Sequence, residues 1–500
     1  MIIEDKKIPV LGQLKSKGIL IEWIDDSVYV TANSDQWNSG LRDILSEYDY
    51  EISKELAESV IESSDLVVCE EIGPVSPSQE RLLNVERLLP QSILYQQPET
   101  LFMYGQLNIE ALKYSINEVI NHQGSLRTVF RNLKEKNRYP IQIVNQFEKR
   151  DLEFIDLSKV DNPKDDLYSI IWKKSHLKFS LRKGPLFRFL VVKLDKEEHI
   201  FMFSIHHLIS DGWSSELVLK QLSHYYNAKI NNTAPSISPL EITFSSYCKT
   251  LQEKSHIEAL KKSINYWKKE LEGPYKPIQF SPKNRVDALS LKIVVHKIKI
   301  EAALIKKIEK ESSLLAITVP SVLLGVFALV LHKTFKSDDI RIGTMFANRM
   351  SKKIEKTVGF LANMLIIRFL INNNLNHTDW LKSCNKKLQN AMSNQEIPFQ
   401  EVVAALESQD AYNLKDLLQV KFVITNVSKE PIKFEGLKHE LKNLIDGTQI
   451  GITSMDLRVH LVPQQNGDYS GTISYKKGLF SEAQIHELWN TYLKLLQEVF

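Results

Sequence analysis

The sequence predicts a mixed α/β (α+β) chain with room for two or three domains, on three observations. Leu186–Leu194 (LFRFLVVKL) and Ile200–Ile205 (IFMFSI) are β-prone runs joined by the charged turn Asp195-Lys196-Glu197-Glu198, and this hairpin leads into a helical pattern with Val218, Leu222 and Tyr225 on one face. Leu291–Ile300 (LKIVVHKIKI) alternates as a strand and is followed by helical Glu301–Ser312. Leu314–Leu331 is the most apolar stretch, with Thr318 placed to cap it and Pro320 in the first turn. That leaves about a dozen residues of helix, too short to span a bilayer and suited to the core of a large domain.

Taken in order, Val10–Lys17 has helix character and stops at Gly18. Ile19–Ile24, the turn Asp25-Asp26-Ser27 and Val28–Thr31 then read as a two-stranded hairpin, followed by amphipathic helices over 35–47 and 51–63. A lone hairpin is marginal in water, so it must pack on these helices, and the small unit gains further stability by dimerising. Residues 64–75 read as a joint, because Gly73, Pro74 and Pro77 interrupt regular structure. The charged helical run Glu253–Glu270, with Trp267 and Leu271 facing inward, reads as the passage between two lobes.

Composition narrows the function classes. A formal charge of +3, from 64 basic and 61 acidic residues, gives no electrostatic case for nucleic acid or membrane. Cys69, Cys248 and Cys384 have neither paired nor metal-like spacing, which suits a reducing, cytoplasmic setting and implies no metal site. The start Met1-Ile2-Ile3-Glu4-Asp5-Lys6-Lys7 lacks the cationic and apolar pattern of a signal peptide.

The chemistry concentrates in Phe201–Ser214 (FMFSIHHLISDGWS), where a strand ends and a helix begins. Imidazole is the side chain whose ordinary pKa lies nearest the task of a base at neutral pH. Successive strand residues point to opposite faces, so only one of His206 and His207 faces a given cavity. Ser214 and Ser215 are good helix caps, Asp211 reads as an ion-pair partner that fixes the loop, and Gly212 permits a conformation or a close ligand approach that a Cβ would obstruct. A pair of structural histidines before an Asp-Gly turn fits the same residues.

His206-His207-Leu208-Ile209-Ser210-Asp211-Gly212 resembles the HHxxxDG motif of the condensation domains of nonribosomal peptide synthetases, in the chloramphenicol acetyltransferase superfamily. Further signatures follow the family's order. Pro77-Ser78-Gln79-Glu80-Arg81-Leu82-Leu83 is similar to its opening Ser-x-x-Gln-x-Arg-Leu run. Leu126-Arg127-Thr128-Val129-Phe130 matches the second half of its Arg-His-x-x-Leu-Arg-Thr-x-Phe signature, while His122 and Gln123 stand where Arg and His are usual. Ile342-Gly343-Thr344 with Arg349, and Val358-Gly359-Phe360 with Asn363 and Leu365, resemble two more; Asn394-Gln395-Glu396-Ile397-Pro398-Phe399 departs by Asn for the first His. The opening segment, LGQLKSKGILIEWIDDSVYVTA and a helix, resembles the N-terminal docking domains of the tubulysin-synthetase type.

The resemblance implies a V-shaped pseudo-dimer of two acetyltransferase-like lobes, over 76–255 and 256–500, behind a small αββαα docking domain at 1–63 and a linker at 64–75. It makes His207 the active-site residue, with His206 and Gly212 beside it and an Arg127–Asp211 pair clamping the loop. It places Trp213, Ser214, Gly343, Thr344, Arg349 and Asn363 along a substrate tunnel or its supports. It implies no bound cofactor or metal. Substrates arrive on the 4'-phosphopantetheine arms of upstream (donor) and downstream (acceptor) carrier domains, and an adenylation domain adjoins in a full module, beyond Phe500. The docking domain accepts the C-terminal tail of an upstream subunit as an added strand, with Val28, Tyr29, Val30 and Thr31 as the expected edge. The expected activity is amide-bond formation between donor thioester and acceptor amine. An epimerisation domain, an inactive recruitment platform and a free-standing ester-forming acyltransferase are the alternatives; heterocyclisation is disfavoured because it normally replaces the histidine pair by aspartates.

Overall fold

The computed structural model describes residues 20–24, 27–31, 65–88, 93, 95–131, 140–280, 293–372, 376–407, 417–425, 432–442, 444, 455–464 and 466–499. The helices expected over 10–17, 35–47 and 51–63 lie outside the described residues. The chain divides into two units, 1–253 with 349–360 and 432–445, and 254–348 with 361–431 and 446–500. Two segments from beyond the first division thus belong with the first unit, so the lobes are not the two continuous stretches expected. The reason is local: 349–360 carries Arg349, the ion-pair partner of Asp211, and 432–445 carries a strand that completes a sheet.

In the first unit one sheet has the order β1-β2-β3-β6-β5, from Leu20–Ile24, Ser27–Thr31, Asp65–Pro74, Ile141–Asn145 and Thr128–Arg131 respectively. The hairpin of β1 and β2 forms as read, with Ile24 opposite Ser27. Two expectations fail around it. The joint at 64–75 is largely the ten-residue strand β3, since Leu66-Val67-Val68-Cys69 is a β-prone run and Gly73 and Pro74 stay in register with Gln142 and Ile141. Gly73 is needed for packing: a Cβ there would lie 2.5 Å from the Ser245 hydroxyl. Because β3 pairs in parallel with β2, Val28–Thr31 is flanked on both sides, and among the described residues β1 is the outer strand.

The second sheet of this unit runs β14-β4-β9-β8-β7, from Lys438–Leu441, Gln96–Tyr104, Glu198–His206, Phe187–Asp195 and Glu153–Asp156. Strands β8 and β9 are the expected hairpin. Phe187, Phe189, Phe201, Phe203 and Ile205 pack from them against the helices Ile109–His122 and Gly212–Ile230, through Leu112, Ile116, Val218 and Leu222. The central strand therefore delivers His206 and His207 at the edge of a rigid core.

The other unit is built on a six-stranded sheet, β10-β16-β15-β13-β11-β12, from Ile293–Ile300, Tyr469–Lys476, Leu457–Pro463, Val420–Ile424, Asp339–Phe346 and Asn363–Leu370. The apolar helix Val319–Phe335 lies in its core as read, capped by Thr318, with Val322, Phe327 and Leu331 buried beside Tyr492 of the helix Glu482–Glu498. Trp267 and Leu271 of the helix Lys254–Leu271 face inward into the same core. Among the described residues no single helix is long and apolar enough to cross a membrane.

Candidate active site

Strand β9 ends at His206, and the His207 N–H donates to the Tyr95 carbonyl at 2.8 Å, so the ladder extends one residue further and turns the two rings to opposite faces. His206 is buried. Its Nδ1 accepts the Leu208 N–H at 3.1 Å, which places the proton of the neutral ring on Nε2, 3.5 Å from the buried Glu86 carboxylate. His206 thus braces the turn from inside. His207 is half-buried, with its ring 5.7 Å from that of Phe360. Its Nδ1 lies 3.1 Å from the Ser210 carbonyl, which can only accept, so Nδ1 carries the proton and Nε2 the lone pair.

Several backbone contacts hold the turn. Ile209 N–H donates to the His206 carbonyl at 3.0 Å, and the Gln79 carboxamide donates to the Leu208 carbonyl at 2.8 Å. Gln79 is itself fixed by a capping box: its N–H donates to Ser76 Oγ and its Oε1 accepts the Ser76 N–H. The Ser-x-x-Gln signature therefore has a structural reason, since it starts the helix Pro77–Leu88 and grips the histidine turn.

Asp211, rather than Ser214 or Ser215, caps the helix Gly212–Ile230. Its carboxylate accepts the Ser214 N–H at 2.8 Å and its carbonyl the Ser215 N–H at 2.9 Å. The expected Arg127–Asp211 clamp is replaced by Arg349, whose guanidinium donates to both carboxylate oxygens, at 3.0 and 3.2 Å, and to Ser214 Oγ at 2.9 Å. Burial pushes the Asp211 carboxyl up, but the Arg349 charge and the hydrogen bonds together outweigh it and hold the group below the ordinary carboxylate range. Arg127 instead pairs with Glu70 and donates to the carbonyls of Ile120, Asn121 and Asn145, tying together β3, β6 and the turn that precedes β5. It stands on the turn Gly124–Arg127, whose backbone aims it at those neighbours.

Ser214 Oγ donates to the Gly359 carbonyl at 2.8 Å and accepts the Gly359 N–H at 3.0 Å, which sets Phe360 against His207. Gln123 performs the matching task one step away: its Oε1 accepts the Val358 N–H and its Nε2 donates to the Lys356 carbonyl. Gln123 is thus a working support despite its departure from the family pattern. Trp213 is 40% exposed, bonded through Nε1 to the Glu355 carbonyl, with Arg349 over its ring at 5.4 Å.

Gly212 is exposed, and a Cβ added there would meet nothing within 4 Å among the described residues. No steric conflict within the fold calls for glycine, and open space lies beside the histidine turn. The first N–H groups of a helix lack intrahelical partners; those of Ser214 and Ser215 are bonded to Asp211, and those of Gly212 and Trp213 have no hydrogen-bond partner among the described residues.

Three residues expected along the tunnel belong to the other unit and have packing roles there. A Cβ on Gly343 would lie 2.5 Å from Leu418 Cδ1, Thr344 pairs with Leu365 across β11 and β12, and Asn363 donates to the carbonyls of Gln395 and Ile397. Sequence reasoning missed Glu86 and Phe360 as neighbours of the two histidines, and assigned Arg349 no partner. The Ser-x-x-Gln and Val-Gly-Phe signatures were the available signals.

The family model of the condensation domain matches residues 69–500. Among curated proteins the chain is 27% identical over 430 residues to a linear gramicidin synthase of Brevibacillus parabrevis, covering 85% of this chain and 8% of that protein. It is 26% identical over 426 residues to the nonribosomal peptide synthetase agiA of Aspergillus flavus, covering 84% and 5%. The chain thus spans less than a tenth of the length of these relatives. Among solved structures it is similar to the first condensation domain of the calcium-dependent antibiotic synthetase, at 14% identity and a TM-score of 0.70 over 86% of this chain and 96% of that one. It is also similar to the X-domain from teicoplanin biosynthesis, at 17% identity and 0.70 over 85% and 94%. The chain therefore belongs to the condensation domain family.

Proposed function

We propose that this condensation domain joins a donor acyl or peptidyl thioester to the α-amine of an acceptor aminoacyl thioester, each presented on the phosphopantetheine arm of a carrier domain. The observation that carries the reading is the position of His207 at the strand end, with Nδ1 donating to the Ser210 carbonyl, an arrangement that in the neutral ring puts the lone pair on Nε2. The acceptor nitrogen attacks the donor carbonyl carbon, and the C–N bond forms as the carbonyl electrons move onto oxygen. The N–H groups of Gly212 and Trp213 at the helix start suit that oxyanion. Collapse breaks the C–S bond, and the proton leaving nitrogen reaches the thiolate by way of His207 Nε2. Thioester aminolysis is already downhill, so holding amine and carbonyl at reacting distance can supply several kcal/mol of the acceleration.

The opening segment fits recruitment of an upstream subunit's C-terminal tail, and strand addition would use β1, the outer strand of its sheet. A reducing, cytoplasmic setting completes this reading, consistent with the burial of Cys69, Cys248 and Cys384 inside the fold.

The test loads one carrier with an acyl donor and another with an amino acid, adds the protein or its His207→Ala variant, and weighs the acceptor-bound product. A joined product that disappears in a folded His207→Ala protein is expected. A similar yield from the variant would overturn the role of His207. An inverted α-carbon without joining would move the assignment to epimerisation. Bound carriers without reaction would favour recruitment, the class suggested by an X-domain solved in complex with OxyB.

A further inference from the structure

The sequence offers no metal-like spacing around its cysteines, yet the fold brings His296, Glu482 and His486 together, with one ligand atom from each lying within 4.8 Å of the others. His296 sits in the middle of β10, opposite Ile473 of β16. Glu482 and His486 are four residues apart at the start of the helix Glu482–Glu498 and so share one face. Glu482 Oε1 lies 3.9 Å from His296 Nε2 and 3.8 Å from His486 Nε2, and the two imidazole rings are 5.0 Å apart. The backbone beneath is fixed on both sides: the strand by its ladder with β16, the helix start by the reciprocal Ser481–Gln484 capping box.

We propose that His296, Glu482 and His486 form a binding site for a divalent transition cation of the zinc type, with water filling the remaining positions. Two imidazoles and one carboxylate suit zinc and its neighbours, and are poor for magnesium or calcium, which prefer all-oxygen sets. Tetrahedral zinc with bonds of about 2.0–2.1 Å holds its ligand atoms about 3.3 Å apart, so closure needs the ligands to move inward by roughly 0.5–1.5 Å. Glu482 and His486 are exposed and can do this by small rotamer changes; His296 is half-buried and held parallel to the Tyr475 ring. The Tyr475 hydroxyl, 3.2 Å from His296 Nε2, must give up that nitrogen to the metal, which is the main local cost. In return the metal neutralises Glu482, whose ion-pair partners among the described residues are these two histidines and no lysine or arginine. The site clips the start of the last helix to an outer strand of its sheet.

The experiment titrates the chelator-treated protein with zinc chloride, alongside the His486→Ala and His296→Gln variants, by calorimetry and metal analysis at pH 7.5. The wild-type chain is expected to bind one equivalent more than either variant, with micromolar or tighter affinity, and to gain thermal stability with added zinc where the variants do not. His486 is exposed, so its replacement leaves the fold intact and the comparison valid. Equal stoichiometry and affinity in all three proteins would overturn the site, since any of the remaining histidines could then be responsible. Absence of binding at 100 µM zinc, on the order of a hundred times a micromolar Kd, would also overturn it. Neither readout depends on acyl transfer, so this inference stands or falls apart from the proposed reaction.

Discussion

Two Arg–Asp pairs, one in each unit, use the same chemistry to different ends. The side chains of Asp211 and Arg349 are 2% and 1% exposed, and the residues lie 138 positions apart. Asp339 and Arg368 are 18% and 10% exposed, 29 residues apart, and join neighbouring strands β11 and β12 through two bonds of 2.9 Å. The second pair has company: Arg341, fully buried and stacked over Tyr275 at 4.1 Å, lies 3.6 Å from the same carboxylate. It locks two strands that the ladder already joins. The first pair closes a far longer loop, caps a helix and sits four residues from His207, so its loss reaches the chemistry. A buried ion pair is weak evidence of net stability, and what it positions is the better guide to its use.

The largest effect expected is for Asp211→Ala, which strands the Arg349 guanidinium and removes the cap. Denaturant unfolding should register a loss of about 3–5 kcal/mol, and peptide formation in the two-carrier assay should fall to background. Asp339→Ala should also destabilise, by less because the pair is more exposed, while the surviving folded protein keeps acyl transfer within about twofold. If folded Asp339→Ala were as inactive as Asp211→Ala, the distinction between the two pairs would collapse.

Arg127 sharpens the same comparison. Family resemblance assigns it to Asp211; the structure gives it to Glu70 and three carbonyls. Arg127→Met should therefore cost about 2–3 kcal/mol through unsatisfied acceptors, yet leave kcat nearly unchanged in the fraction that remains folded. A collapse of kcat at full stability would return Arg127 to the catalytic loop.

These pairs also mark where reading the sequence stops. Alternation and capping residues are local, and they sufficed for the hairpin of β8 and β9, for Thr318 and the helix Val319–Phe335, and for His207 at the strand end. Which arginine meets Asp211 depends on a contact across 138 residues; Arg127 and Arg349 both stand on recognisable signatures, and nothing local to either tells which one reaches the carboxylate. Gly73 and Pro74 looked like punctuation because the Ser245 hydroxyl that requires the glycine comes from 172 positions further on. The flanked position of β2 was hidden for the same reason: pairing with β3 is a matter of register, which periodicity does not encode. The grouping of His296 with Glu482 and His486 was equally invisible.

The smallest expected effects are those of pH, and they set the two units against each other. In the first, burial lifts the Glu99 carboxyl of β4 to about 7, from an ordinary 4.5. In the second, burial first, and then the charges of Arg458 and Lys421, lower His460 of β15 to about 4, from 6.5. Between pH 4.5 and 7 the folded first unit holds a proton on Glu99 that the unfolded chain has lost, so that contribution is complete below 4.5 and gone by 7. Between pH 6.5 and 4 the unfolded chain binds a proton that folded His460 refuses, so this contribution is complete above 6.5 and lost on acidification. Because Glu99 is half-buried, its share is about 2 kcal/mol rather than the full value of its shift. Glu99→Gln should stabilise the protein by that amount at pH 8 and by almost nothing at pH 4.5, in unfolding curves taken at both. His460→Gln should do the reverse, relieving the loss at pH 4.5 while gaining little at pH 8. An increment for Glu99→Gln that is the same at both pH values would mean that its proton is not taken up on folding, and the electrostatic contrast between the units would then rest on His460 alone.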